Sequence, residues 1–196
     1  RPSKFEVGRV ICGVLGYILV EQQDAIGLLT VSSGIRDHLP PGGTRQHYKN
    51  MVDALTARST EGETALGQVL HTLANRIKRR ALIIIVSDFF ADMREIGLAL
   101  THFAHKKHEV IVFQVLDRKE AEFPFTDLTR FVSLEDDAFL LTDPVRIRKE
   151  YLRQFAAHQT ALQKTCHQLR IDHVPIFTDE PYTRTIAKYL AGRLNR

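Results

Sequence analysis

The feature that most constrains the fold is an unbroken apolar run from Ala81 to Val86, which stops abruptly at Ser87 and Asp88. A β-branched run of this kind is typical of a strand covered on both faces, as in a parallel sheet flanked by helices. Ligand sites in such sheets lie just beyond the carboxyl ends of the strands. The run therefore predicts a buried parallel strand with Asp88 at the position of a functional carboxylate, or else with Asp88 capping the next helix.

The rest of the chain alternates between helical and strand patterns. Helical spacing predicts helices over residues 4–22, 44–57, 64–78, 92–105 and 144–169, with a last helix from Pro181. Apolar runs predict strands over residues 25–32, 35–39, 109–116 and 172–177. Short alternating pieces at 128–134 and 138–141 predict a hairpin. We therefore expect an α/β protein with a mostly parallel sheet, helices on both faces and a small hairpin insertion near 128–141.

Length and composition are those of an ordinary globular protein. The 196 residues, 44% hydrophobic and 26% charged, predict a single domain over residues 1–196. The net charge is only +4 and the basic residues are scattered, which does not favour nucleic-acid binding.

The apolar run Val10–Val20 is too short to span a membrane. Cys12 and Cys166 lack metal or redox spacing, so we interpret them as reduced core residues of a cytoplasmic protein. Because the chain begins at Arg1, we interpret it as a C-terminal fragment of a longer protein.

Five segments occur in an order that resembles a known family. They are Leu39-Pro40-Pro41, Val86 to Asp92, His108 to Asp117, Ala121 to Phe125 and Thr178 to Pro181. Over nearly the whole chain this order is similar to the bacterial domain-of-unknown-function family fifty-eight, whose fold resembles the von Willebrand factor A domain. The resemblance implies a Rossmann-like three-layer sandwich with a metal-ion-dependent adhesion site at the upper edge of the sheet.

The resemblance also implies which residues would form that site. Thr64 takes the position of the threonine ligand and Asp88 that of the aspartate ligand, with Ser87 and Asp92 beside them as supporting residues. Oxygen ligands of this type suit Mg²⁺ or Mn²⁺. The Asp-x-Ser-x-Ser motif of A domains is absent from the 196 residues, so we expect the first strand and three ligands to lie upstream. We therefore expect this chain alone to bind metal weakly or not at all, and expect a gap between the strands at 25–32 and 81–86.

Three other site chemistries are open. His102, His105 and His108 recur at three-residue intervals and predict either a zinc site or favourable contacts with a helix C-terminus. Asp88 and Asp92 predict either a two-carboxylate site for metal-dependent hydrolysis or, for Asp92, a helix cap. The long helix carries basic residues that form either a solvated face or a docking surface for an acidic partner: Arg146, Arg148, Lys149 and Arg153.

On balance the sequence favours a protein-interaction module over an enzyme. It contains no phosphate-binding loop and no nucleophile elbow. Members of the family are associated with MoxR-type AAA+ ATPases, so the resemblance implies a partner of that type and a role in assembling or remodelling a protein target. The competing hypothesis is a metal-dependent hydrolase that uses Asp88 and Asp92.

Overall fold

The structure, a computed structural model, describes residues 1–31, 34–57, 66–132 and 139–194. Its helices are α1 (Lys4–Glu21), α2 (Arg45–Thr56), α3 (Leu66–Arg76), α4 (Met93–His105), α5 (Arg118–Glu122), α6 (Pro144–Gln168) and α7 (Tyr182–Leu194). Its strands are β1 (Ile26–Val31), β2 (Ile35–Gly42), β3 (Leu82–Ser87), β4 (Glu109–Leu116), β5 (Thr129–Val132), β6 (Phe139–Thr142) and β7 (Asp172–Phe177). None of the helices in these ranges is long and apolar enough to cross a membrane.

The centre of the molecule is a three-stranded parallel sheet in the order β3-β4-β7. Successive side chains of its middle strand point to opposite faces. Val110 and Val112 pack into one core cluster with side chains of α3, α4 and α6. Ile111 and Phe113 pack into a second cluster with side chains of α1 and α7. The parallel arrangement with helices on both faces is therefore confirmed, and β4 is buried along almost its whole length. β3, the strand predicted to be covered on both faces, is instead the edge strand of this sheet, and its Ile84 and Val86 are only partly buried.

The prediction of a mostly parallel sheet is confirmed for β3, β4 and β7, but the described residues form three separate sheets, and β1 and β2 do not join the parallel one. β1 pairs antiparallel with β2 and is not part of the sheet that contains β3, which agrees with the gap expected between these strands. The β1-β2 sheet contacts the rest of the domain through Val31, which packs against the core cluster formed with side chains of α3, α4 and α6. β2 also continues to Gly42, past the predicted end at Leu39. Two prolines are tolerated there because β2 is an edge strand.

The segment after β4 contains a short helix that the sequence interpretation missed. Asp117 caps α5, and Glu120 completes a capping box with it. The chain then leaves the helix at Phe123 with a positive φ of 46°. The hairpin predicted near 128–141 is confirmed as the antiparallel pair β5-β6.

Candidate functional site at the carboxyl edge of the parallel sheet

Three chain segments meet where the parallel strands end, and we call this the carboxyl edge. Asp88 follows β3, Asp117 follows β4 and Thr178 follows β7. The Thr178 N–H donates to the carbonyl of Leu116 at 3.0 Å, and its hydroxyl donates to Asp117 Oδ2 at 3.3 Å. The carboxyl edge is the usual ligand-binding position of parallel α/β sheets.

Asp88 lies at this edge as predicted, but its partner is a lysine. Lys4 Nζ, at the start of α1, donates to Asp88 Oδ2 and to Glu120 Oε1, each at 2.7 Å. The ammonium also lies 5.0 Å from the ring centroid of Phe90. Burial opposes the charge on Lys4, but the charges and hydrogen bonds of the two carboxylates outweigh it and raise the pKa of Lys4 above its ordinary value. The ammonium therefore occupies the position of a cation between two carboxylates.

Local capping interactions hold the members of this ion cluster in place. The Ser3 hydroxyl accepts from the Glu6 N–H at 3.1 Å, and Glu6 accepts from the Ser3 N–H at 2.7 Å, so the first turn of α1 is fixed around Lys4. Glu120 Oε2 accepts from the Asp117 N–H at 3.2 Å in the capping box of α5. The first turn of α1 thus fixes the position of Lys4, and the first turn of α5 fixes that of Glu120.

A buried glutamine supports Asp88 from below. Gln114 on β4 is 0% exposed and pairs with Ser87 in the sheet register. Its Nε2 donates to the Asp88 carbonyl at 3.1 Å, and its Oε1 accepts from His173 Nε2 at 3.0 Å. Burial lowers the pKa of His173, which favours the neutral imidazole, and the hydrogen bond to Gln114 Oε1 assigns its proton to Nε2. The backbone of Asp88 is therefore tied to the middle and outer strands.

The other predicted site residues serve the backbone. Ser87 Oγ accepts from the Phe89 N–H at 3.0 Å. Asp92 is the N-cap of α4, and its Oδ1 accepts from the Arg94 N–H at 2.7 Å, which confirms the capping alternative. Nothing in this geometry favours the Asp88 and Asp92 hydrolase. Thr64, the predicted threonine ligand, lies outside the described residues.

The geometry of the edge does not fit the Mg²⁺ or Mn²⁺ ion that the resemblance implies. A divalent ion bound to Asp88 Oδ2 would have to take the place of the Lys4 ammonium. Across the part of the chain that the structure describes, no group of three His, Cys, Asp or Glu side chains is arranged to hold a metal. The histidine alternative is also not favoured, because His108 Nδ1 accepts from the Ala81 N–H at 3.2 Å. His102 instead lies against His71, with ring centroids 4.9 Å apart and the ring planes tilted by 49°.

A second cation lies at the far side of the edge. Arg118 Nε donates to Asp179 Oδ2 at 2.8 Å, and its guanidinium also contacts Glu180. The hydrogen bond from Arg118 lowers the pKa of Asp179. The guanidinium lies 4.4 Å from the ring centroid of Phe177. The partly buried cations Lys4 and Arg118 are therefore both held by acidic and aromatic side chains.

The predicted basic surface of α6 is mostly committed to structural contacts. Arg148 donates to the carbonyls of Phe123 at 3.1 Å and Glu122 at 3.0 Å. Arg153 forms a two-pronged ion pair with Glu150, at 2.8 and 2.6 Å. These contacts leave less of the patch available to an acidic partner than the sequence suggested.

Sequence reasoning missed Lys4, Glu120 and Gln114. The spacing of Asp117 and Glu120 is a capping-box signal that would have revealed α5. A lone glutamine in the apolar run of β4 also indicates a buried hydrogen-bond network, since buried amides need partners. No local signal identifies Lys4 as the partner of Asp88.

Comparison with known proteins gives the family. The family described as "Protein of unknown function DUF58" matches residues 1–161 of this chain. The chain therefore belongs to this family. Two relatives are the uncharacterized protein Mb1516 of Mycobacterium bovis and the uncharacterized protein Rv1480 of Mycobacterium tuberculosis. Each is 23% identical over 177 residues, which cover 86% of this chain and 54% of the relative. The chain thus spans about half the length of these relatives.

A solved structure supports the fold. The chain is similar to the crystal structure of the conserved hypothetical protein BatB from Bacteroides thetaiotaomicron, with a TM-score of 0.61 and 14% sequence identity. The match covers 100% of this chain and 91% of that one. At this identity the likeness concerns the fold alone.

Proposed function

We propose that this chain is a non-enzymatic protein-interaction module of the DUF58 family, and that it works with a MoxR-type AAA+ ATPase in protein assembly or remodelling. The family resemblance motivates the choice of ATPase. The site geometry supports a binding role, because the predicted catalytic carboxylates are occupied by an ion pair and by a helix cap.

The observation that carries the proposal is an exposed apolar surface on the β5-β6 hairpin. We call it the hairpin surface, and its residues are Val132 and Leu141, each 58% exposed. Two further exposed apolar side chains flank the hairpin in sequence: Leu128, directly before β5 (71%), and Val145, in the first turn of α6 (60%). In the register of the hairpin, Leu141 pairs with Arg130, two residues from Val132, so the two apolar side chains are diagonal neighbours on one face. Clustered exposed apolar side chains are typical of protein-interaction sites.

The opposite face of the hairpin is anchored to the domain. Phe131 stacks on Phe123 with ring centroids 5.6 Å apart and contacts Phe125 at 5.3 Å. Phe123 in turn lies 4.4 Å from the ring of Tyr151 on α6. An aromatic anchor on one face and apolar side chains on the other are the features of a docking element that is ordered before it binds, which reduces the entropy cost of association.

The test uses the full-length protein and the MoxR-type ATPase encoded in the same genome. Affinity is measured for the unchanged protein and for a Val132→Glu, Leu141→Glu double variant, with folding checked by circular dichroism. We expect the double variant to lose at least about tenfold in affinity, equivalent to about 1.4 kcal/mol. Leu98→Glu is the matched control, because Leu98 is 62% exposed on α4, and its affinity should stay unchanged. Absence of binding by the unchanged protein, or equal binding by all three proteins, would refute the proposal.

A further inference from the structure

We propose that the ammonium of Lys4 is the resident cation of the carboxyl edge, in place of the divalent metal ion implied by the family resemblance, and that Lys4 keeps divalent ions away from Asp88. The inference concerns the chemistry of the edge and holds whether or not the ATPase is the partner. It makes the edge an internal ion cluster that joins the first turn of α1 to Asp88 after β3 and to α5.

The contacts of Lys4 are those of a bound cation. An ammonium has three N–H donors, and two of them are used by Asp88 Oδ2 and Glu120 Oε1 at 2.7 Å, the distance of a charge-assisted hydrogen bond. The ring of Phe90, 5.0 Å away, adds a further favourable contact. Mg²⁺ needs oxygen ligands at about 2.0–2.1 Å in an octahedron, so an ion bound at Asp88 Oδ2 would lie beside the Lys4 ammonium and be repelled by its positive charge.

The second oxygen of each carboxylate is also committed. Asp88 Oδ1 accepts from the Phe90 N–H at 3.2 Å, and Glu120 Oε2 accepts from the Asp117 N–H at 3.2 Å. These bonds do not involve Lys4. Loss of the ammonium would therefore leave two oriented carboxylates facing one position, with the local charge changed from −1 to −2. That arrangement attracts a divalent cation, since carboxylate oxygens are the protein ligands that Mg²⁺ and Mn²⁺ prefer.

The experiment measures Mn²⁺ binding by calorimetry and by paramagnetic resonance, in the full-length protein and in its variants. We expect Lys4→Met to bind Mn²⁺ at least about tenfold more tightly than the unchanged protein, and expect Asp88→Asn in the Lys4→Met background to remove the gain. Lys119→Met is the matched control, because it removes one positive charge from the same edge without touching Asp88. Equal affinity of the unchanged protein and Lys4→Met, or an equal gain in Lys119→Met, would overturn the inference.

A second measurement tests the unchanged protein, in case Lys4→Met does not fold. The Nζ resonance of Lys4 is followed by nitrogen NMR during titration with Mn²⁺. If the ammonium holds the position, one equivalent of Mn²⁺ leaves its signal sharp. Selective broadening of the Lys4 signal at one equivalent would place the metal beside Asp88 and overturn the inference.

Discussion

Replacing Gln114 by leucine is the sharpest test of how the carboxyl edge is held. The two side chains are similar in size, so the substitution removes hydrogen bonds without opening a large cavity. It leaves the Asp88 carbonyl and the Nε2 proton of His173 without the partners that they have at 3.1 and 3.0 Å. We therefore expect Gln114→Leu to destabilise the protein and to loosen the segment that carries Asp88.

The magnitude follows from the two lost bonds. Leaving a buried polar group unpaired costs about 1–3 kcal/mol. Asp88 and His173 are only partly buried, so the lower end of that range, about 1–1.5 kcal/mol, applies to each. The sum is about 2–3 kcal/mol, because each group costs about 1–1.5 kcal/mol. In a domain of 150–250 residues, each kcal/mol shifts Tm by about 2–4 °C, so we expect a loss of about 5–10 °C.

The assay is urea unfolding of the unchanged protein, Gln114→Leu, His173→Leu and the double variant. The double variant should cost less than the sum of the single variants by about 1 kcal/mol, because each single change breaks the same bond between the two side chains. Hydrogen exchange of the Phe90 amide, which donates to Asp88 Oδ1, should accelerate in Gln114→Leu. A cost below about 0.5 kcal/mol, or strictly additive single variants, would refute the argument that Gln114 supports Asp88.

Three further changes probe other parts of the fold. Lys107, just after the end of α4, has a φ of 60°, which glycine adopts without strain. Lys107→Gly should therefore be more stable than Lys107→Ala by about 0.5–1 kcal/mol in urea unfolding. Equal stability of the two variants would contradict this. Burial lowers the pKa of His108 and His173 below 6.5, so the unfolded chain binds protons first. The free energy of unfolding should therefore be highest above pH 6.5 and fall as the pH drops from about 6.5 to 5. A urea midpoint that stays constant over this pH range would contradict the expected loss. Arg148→Met removes two hydrogen bonds to backbone carbonyls and should lower the free energy of unfolding by about 1–3 kcal/mol, measured by thermal unfolding. Lys149→Met is the control and should have no measurable effect. Equal losses in the two variants would speak against a structural role for Arg148.

Much of the fold could be predicted from the sequence, because its elements carry strong local signals. The apolar runs fixed β4 and β7 at their observed bounds, and the spacing of Ser3 and Glu6 fixed the start of α1. The error in sheet organisation has a physical origin. An apolar run shows that a strand is buried but does not show which strand it pairs with, and among the described strands β1 pairs with β2 alone.

The candidate site could be predicted less completely. The position of Asp88 follows from a rule of topology, since the end of a buried parallel strand is where ligands bind. Its partners depend on tertiary contacts, because Lys4 lies 84 residues from Asp88 and 116 from Glu120. Thr64, which the resemblance assigned to the same site, lies outside the described residues and stays a prediction.

The position of Asp88 and the identity of its partner carry different information about function. The position would be the same in a metal site, an enzyme or a binding module, because it is set by the parallel sheet. The partner differs between these cases, and here it is the ammonium of Lys4, which offsets one of the two negative charges of Asp88 and Glu120. That contact also ties the first turn of α1 to the loop after β3 and to α5, on which the hairpin anchor at Phe123 follows directly.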